Sequence, residues 1–548
     1  MSGATFAGTL LARVGDVRPG LLFEDEAYSW DDVVRAARVR AGVALRLCDE
    51  PVGRPRHLGV LLENVPEYVF WIGAAALSGC TLVGVNPTRR GAGLAADIRH
   101  TDCDAILTDA AHAPLLDGLD LGIPVHRVDS DAYRGLLVED APEVVPDVAP
   151  ADRLLLLFTS GSTGAPKAVV CGQGRLADIG ARAAQLGIER DSVTYLAMPL
   201  FHGNAVMINL AMATHAGATI AMRRRFSASG FLPDVRRYGV TFFNYVGRAL
   251  AYILATAERP DDANNTLCSA FGTEASAQDM ARFGERFGCR VIEGYGSSEG
   301  AVSLNRTPET PPDALGLPHP GVEVAIMDPD TGGECPPARL SPDGALLNPD
   351  EAIGEIVGLN VAAAFEGYYN NPEADAERLR GGLYWSGDLG YRDEDGYFYF
   401  AGRTADRLRV DSENFAAAPV ERVLARWDPV VMCAVYPVPD PRTGDQVMAA
   451  LELDGRPFDP DAFAAFLKAQ PDLGTKWAPR FVRLVDAMPL TATGKLNKRP
   501  LRRARWNAPG VWWRPGRELA YEPLDEATAK IVQDEFAEHG RSHLLGAL

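Results

Sequence analysis

Phe158-Thr159-Ser160-Gly161-Ser162-Thr163-Gly164-Ala165-Pro166-Lys167 is the most organised stretch of the 548-residue chain. An apolar run, Leu154–Phe158, reads as a buried strand and opens directly into four hydroxyl residues, two glycines and a lysine. Glycines let a backbone approach a phosphate closely, N–H and O–H groups donate to its oxygens, and Lys167 adds charge. The loop is not a Walker motif, because Pro166 precedes the lysine and Ala168 follows it. A flexible polar turn is the plainer reading. The order within these ten residues favours a phosphate cradle at a strand end.

Upstream and downstream of this loop, helix and strand patterns alternate. Ser29 reads as the N-cap of a helix running to Leu45, followed by a strand near Leu58–Leu62. The apolar stretch from Tyr68 to Val85 is divided by turn residues into a helix opened by Pro66, a turn at Ser78-Gly79 and a strand at Thr81–Val85, not a membrane span. A helix near Leu94–His100 and strands at Ala105–Leu107, Thr194–Met198, Thr219–Met222, Thr241–Tyr245 and Arg290–Glu293 continue the alternation. Such a pattern predicts a largely parallel sheet covered by helices, with binding sites in the loops after the strands. Between Thr307 and Asp350, Pro, Gly and Asp predict loops or short antiparallel strands. After Gly402-Arg403 the pattern becomes that of a small α+β domain, with a helix opened by Pro419, strands at Val430–Val435 and Val447–Leu453, a helix after Asp459-Pro460, and a strand at Phe481–Val485. The segment from Trp506 to Leu548 carries a late helix and no readable purpose.

The length exceeds what one hydrophobic core sustains, roughly 250–300 residues, so two or more domains are expected. With 54 Lys+Arg against 73 Asp+Glu, the net charge of −19 repels a phosphate backbone, which argues against nucleic acid as a partner. Eight scattered cysteines without Cys-x-x-Cys or zinc spacing fit free thiols in a reducing cytoplasm. Neither a secretory signal nor a transmembrane segment is read.

Four more segments carry chemistry. In Gly294-Tyr295-Gly296-Ser297-Ser298-Glu299-Gly300, Gly296-x-Ser298-x-Gly300 formally matches the nucleophile elbow of a serine esterase. That reading lacks a convincing downstream His, since His319 lies in a Pro-rich loop and His539 and His543 lie in the tail, and it leaves the loop at 159–167 unexplained. Tyr384-Trp385-Ser386-Gly387-Asp388-Leu389-Gly390 and Phe400-Ala401-Gly402-Arg403 are individually ordinary turns. Pro489-Leu490-Thr491-Ala492-Thr493-Gly494-Lys495 sets one lysine on a small-residue loop.

Taken together and in this order, these segments resemble the adenylate-forming superfamily of acyl-CoA synthetases, peptide-synthetase adenylation domains and luciferases, over about Ser29 to Leu501. Tyr245-Val246-Gly247 and Tyr521-Glu522-Pro523-Leu524 look more like the very-long-chain or fatty-acid-transport branch. The resemblance implies an α/β fold: a large N-terminal α/β domain of layered sheets and helices, residues 1–403, holds the ATP and acyl sites. A small mobile C-terminal α+β domain, residues 404–548, carries the catalytic lysine. It implies that Thr159, Ser160, Gly161, Ser162, Thr163, Gly164 and Lys167 cradle the β- and γ-phosphates of ATP. Gly272, Thr273 and Glu274 would lie beside adenine, Tyr295 would stack on it, and Gly296 and Ser297 would line the same site. Ser298 would contact the α-phosphate and Glu299 would hold Mg²⁺. Asp388, helped by Arg403, would bind the ribose, Lys495 would bridge carboxylate and α-phosphate, and His202 would gate the acyl site.

The sequence departs from the family in two places. Ala405 stands where the hinge residue is usually Asp or Lys. Ser412, in Arg409-Val410-Asp411-Ser412-Glu413-Asn414, stands where a glycine usually lines the tunnel for the pantetheine arm of CoA. The expected activity is an ATP-dependent, AMP-forming ligase that activates a carboxylate and passes it to CoA. The alternative keeps adenylation but changes the acceptor, as in an ATP-dependent diazotase that activates nitrite for an aromatic amine; a serine esterase ranks third.

Overall fold

The computed structural model describes the chain except for residues 1–3, 48–50, 139–146, 160–166, 247–248, 274, 276, 308, 312–313, 342–345, 404–406, 411–412, 442–444, 471–472, 475, 492–495, 517, 540 and 546–548. Two compact units emerge: Met1–Ala301 with Ala363–Glu377, and Val302–Ala362 with Arg378–Leu548. The boundary expected at 403/404 falls inside the second unit, between the strands Phe398–Arg403 and Arg407–Val410.

The first unit is built from two largely parallel sheets, as the alternation predicts. One runs in the order Val125–Arg127, Ala105–Thr108, His57–Leu61, Thr81–Gly84, Arg153–Thr159, with Lys167–Gly172 antiparallel at its edge. The other runs Arg290–Glu293, Ser269–Thr273, Phe242–Val246, Val193–Leu196, Thr219–Met222, Pro19–Phe23, and ends in the antiparallel strand Glu26–Ser29. The strand Pro19–Phe23 was not legible in the alternation. It crosses into the second sheet by pairing with Thr219–Met222, about two hundred residues downstream, so no local pattern announces it.

Local signals set the helices between these sheets. Ser29 caps the helix Trp30–Ala44 through a full capping box with Asp32. Pro66 starts the next helix, Pro66–Ser78, and Gly79 ends it in the left-handed region at φ 71°. Both helices join the inner faces of the two sheets in one core, which includes Trp30, Val34, Trp71, Leu82, Leu155, Leu196 and Ile220. Arg40 of the first helix is paired with Glu67 of the second at 2.5 Å, and Tyr133 donates to the same carboxylate.

The second unit contains an antiparallel sheet whose strands include Ala314–Pro318, Phe398–Arg403, Leu383–Arg392, Gly354–Gly358 and Val324–Met327. A separate mixed sheet follows in the order Val430–Pro439, Asp445–Leu453, Phe481–Leu484, Val511–Trp513, Glu522–Pro523. The helices Ala417–Leu424 and Pro460–Lys468 cover one face of it. The unread tail supplies two strands of this sheet and, through Trp506, Val532 and Phe536, much of the apolar layer on its other face.

Candidate functional site

The hairpin made by Arg153–Thr159 and Lys167–Gly172 sets the base of the candidate phosphate loop. Thr159 and Lys167 are paired residues across it. Ser160, Gly161, Ser162, Thr163 and Gly164 lie outside the described residues, as do Glu274, Ser412 and Lys495. Thr159 and Arg403 are placed by their backbone strands.

Lys167 is buried, and its Nζ lies 2.8 Å from Glu377 Oε2 and 5.2 Å from the centre of the Tyr368 ring. The hydroxyl of Tyr368 donates to Glu299 Oε1 at 2.7 Å, and both residues are buried. One tyrosine therefore joins the lysine of the candidate phosphate loop to the carboxylate of the Gly294–Gly300 motif. Its position follows from pairing: Val169 and Tyr368 form an antiparallel bridge, Val170 N–H donates to the Gly367 carbonyl, and Tyr369 N–H donates to the Ala168 carbonyl. This short segment pairs alongside the strand that begins at Lys167.

The turn carrying Ser298 and Glu299 is held from the same side. Arg175 donates to the Ser298 carbonyl and to the Val170 carbonyl, and lies 3.6 Å from Glu366. Glu366 also accepts the Gly172 N–H at 2.9 Å. Gly300 closes the turn at φ 70°, a conformation that disfavours other residues. The next element is the strand Ser303–Asn305 rather than a helix. A nucleophile elbow needs strand, sharp turn and helix, so the esterase reading of Gly296-x-Ser298-x-Gly300 is corrected here.

Gly272 and Thr273 end the strand Ser269–Thr273, and Tyr295-Gly296 follow the neighbouring strand Arg290–Glu293. The Glu293 carboxylate accepts the Ala275 N–H at 2.5 Å, which ties the loop after Thr273 to the strand leading into Tyr295. Tyr295 is half-buried, while Gly296 and Ser297 are exposed. His202 is half-buried and lies 4.4 Å, centre to centre, from the Phe201 ring. A Cβ on the adjacent Gly203 would sit 2.9 Å from Ser298 Oγ, so this loop and the Ser298 turn are in direct apposition.

In the second unit, Asp388 and Arg403 are register partners on the neighbouring strands Leu383–Arg392 and Phe398–Arg403. The turn before Asp388 is fixed by Glu355, which accepts the Gly387 N–H at 2.7 Å and pairs with Arg380 at 3.0 Å. Burial pushes the Glu355 carboxyl above its ordinary range, against the opposing hydrogen bond and arginine.

Glu299 offers a single carboxylate, and among the described residues no group of three or more His, Cys, Asp or Glu side chains gathers to hold a metal. This donor set makes no all-protein cage. It fits Mg²⁺ arriving with phosphate oxygens and water, since that ion is usually held by one or two carboxylates plus substrate phosphates.

Motif reading missed Tyr368, Arg175, Glu366, Glu377 and Glu355. For Tyr368 a signal existed: two aromatics between Gly367 and the turn residues Asn370-Asn371-Pro372. The others are ordinary charges whose placement depends on the fold.

Residues 12–369 match the family described as AMP-binding enzyme, and residues 419–495 match the AMP-binding enzyme C-terminal domain. The chain is 51% identical over 551 residues to a steroid-22-oyl-CoA synthetase of Rhodococcus jostii (strain RHA1), covering 99% of each chain. It is 47% identical over 499 residues to the medium/long-chain-fatty-acid–CoA ligase FadD17 of Mycobacterium marinum, covering 90% of this chain and 94% of the relative. The fold matches that of ATP-bound MatB from Rhodopseudomonas palustris with a TM-score of 0.80 at 22% identity, over 92% of this chain and 99% of that one. Matches of this length and identity, together with the ordered motifs, mean that the chain belongs to the AMP-binding enzymes of the adenylate-forming superfamily.

Proposed function

We propose that the protein is an ATP-dependent, AMP-forming acyl-CoA synthetase whose substrate is a bulky apolar carboxylic acid. The observation that carries the site assignment is the Lys167–Tyr368–Glu299 arrangement, which sets a cation and a carboxylate on one tyrosine at the base of the phosphate loop. Near-full-length relatives support this acceptor and acid class, one named for a steroid-22-oyl thioester and one for medium- and long-chain fatty acids.

In the first step a carboxylate oxygen attacks the α-phosphorus of ATP and pyrophosphate leaves. The loop Thr159–Lys167 binds the β- and γ-phosphates, with Lys167 exchanging its partner Glu377 for phosphate oxygen. Ser298 faces the α-phosphate, Gly272 to Glu274 and Tyr295 to Ser297 enclose the adenine, and Asp388 with Arg403 takes the ribose. Glu299 would hold Mg²⁺, which would supply neutralisation of phosphate charge. Lys495 stabilises the charge that builds on the oxygens of the pentavalent phosphorus. In the second step the CoA thiolate displaces AMP from the acyl carbonyl, with His202 beside the acyl group and Ser412 along the pantetheine path. Residues 404–548 form the mobile domain, and the hinge lies at Ala405. None of the seven described cysteines is disulfide-bonded, which supports a reducing, cytoplasmic location; among the described residues no helix is long and apolar enough to cross a membrane.

The comparisons provide no support for the diazotase alternative: the relatives at 47–51% identity are named as CoA synthetases or ligases. Purified protein with ATP, Mg²⁺, CoA and a panel of steroid and fatty acids is expected to release pyrophosphate and form thioester. Lys495→Ala is expected to abolish pyrophosphate release while ATP still binds, measured by calorimetric titration. Thioester formation at the wild-type rate by that variant overturns the assignment.

A further inference from the structure

A line of side-chain hydrogen bonds crosses the second sheet and ends at the loop beside Ser298. Thr194 Oγ1 donates to Asn209 Oδ1 at 2.8 Å, Asn209 Nδ2 donates to Asn244 Oδ1 at 2.7 Å, and Asn244 Nδ2 donates to Asn204 Oδ1 at 2.7 Å. Thr194, Asn209 and Asn244 have no exposed surface, whereas Asn204 is partly exposed. They come from separate elements: the strand Val193–Leu196, the π-helix Ala205–Ala211, the strand Phe242–Val246, and the residue that precedes the π-helix.

Three buried polar side chains in a row are costly unless each link is made, and here each one is. The line also has a direction. Asn209 and Asn244 each accept from the residue behind and donate to the residue ahead, and Asn204 accepts at the end of the line. Asn204 Oδ1 is engaged by Asn244, which leaves Nδ2 as the donor group of this partly exposed side chain. The wider winding of a π-helix, a feature concentrated at functional sites, carries Asn209 within reach of both neighbours. Gly203, next to Asn204, leaves no room for a Cβ against Ser298 Oγ. The directed donor therefore ends one residue from contact with the serine proposed to face the α-phosphate.

We infer that Asn204 binds one carboxylate oxygen of the acid being activated, orienting the other oxygen for attack, and that Asn244 and Asn209 are positioning residues that hold the Asn204 donor outward. This rests on the adenylation reading of the site. A neutral amide suits such a role, because it gives the anion a charge-assisted hydrogen bond and orients it without adding a second cation beside Lys495.

The test uses the full-length protein, Mg·ATP and a panel of steroid acids and straight-chain fatty acids from octanoate to palmitate, with pyrophosphate release as the readout. Asn204→Ala is expected to raise the KM for each acid about tenfold while the ATP KM stays within twofold, the size expected for loss of one charge-assisted bond. Asn204→Asp, which sets a second carboxylate against the first, is expected to lose more than a hundredfold in kcat/KM for the acid. Asn244→Leu breaks the line behind Asn204 and is expected to raise the acid KM with no change in ATP KM. A purely structural role would lower the amount of active enzyme and leave both KM values alone. If Asn244→Leu fails to fold, the partly exposed Asn204 variants still decide the matter. An unchanged acid KM in Asn204→Ala, or an equal rise in both KM values, overturns the inference alone. A wild-type enzyme that releases no pyrophosphate with any acid overturns the adenylation reading, and this inference with it.

Discussion

Tyr368 and Tyr369 are neighbours in the chain yet enter different networks. Tyr368 donates to Glu299 and lies under the Lys167 ammonium, whereas Tyr369 donates to Asp102 at 2.7 Å and carries Arg153 over its ring at 4.6 Å. Adjacent residues in an extended segment point to opposite sides, and bridge pairing with Val169 decides which tyrosine faces the candidate ATP site. The residues of the loop were enough to nominate Lys167, and the family resemblance nominated Glu299. Neither could nominate Tyr368, because its partners lie about seventy and two hundred residues away in sequence. Tyr368→Phe keeps the ring and removes the donor. The expected outcome is a loss of about 1.5–3 kcal/mol in the binding of Mg·ATP, roughly ten- to a hundredfold, seen as higher ATP and Mg²⁺ requirements in pyrophosphate release. Thermal stability should change little.

At the scale of elements, signals carried within a few residues were reliable. The Ser29 cap, Pro66 at a helix start and Gly79 at its end each act through neighbouring backbone, and the corresponding helices stand where the sequence places them. The helix expected to open at Pro419 begins at Ala417, two residues earlier, because Pro is accommodated within the first turn, where no intrahelical donor is lost. How strands and segments lock together was less legible. His57, at the start of His57–Leu61, is fully buried, shares a 2.7 Å hydrogen bond with the Thr101 carbonyl and stands edge-on to Tyr369. Its Nε2 lies 3.3 Å from Arg153 Nη1. Burial, reinforced by Arg54 and Arg153, lowers its pKa, although the Thr101 carbonyl opposes the shift. The native state therefore takes up a proton less readily than the unfolded chain. The stabilisation is complete above about pH 6.5 and is lost as pH falls through the lowered native value. Denaturant melts at pH 7.5 and 5.5 should show the wild type losing more stability on acidification than His57→Gln.

For the whole molecule, the tail from Trp506 is the clearest case of a role that appears only on folding. Trp506 stacks on Phe481 at 4.8 Å, Val511–Trp513 pairs with Phe481–Leu484, and Phe536 of the helix Glu526–Glu538 is fully buried near Trp506. Phe536→Ala is expected to cost about 3–5 kcal/mol in the unit that contains it, seen in calorimetry as a lowered transition for that unit. Local chemistry in the sequence determined the candidate phosphate loop, the Ser298-Glu299 turn, the α/β alternation and the family, because glycines, hydroxyls, caps and apolar runs act over a few residues. Only the tertiary structure decided that the N-terminal strand joins the second sheet, that Tyr368 links Lys167 to Glu299, and that a directed line of amides reaches Asn204. Each of these depends on pairing between distant segments, and that pairing is chosen by burial of the entire core rather than by any short stretch of chain.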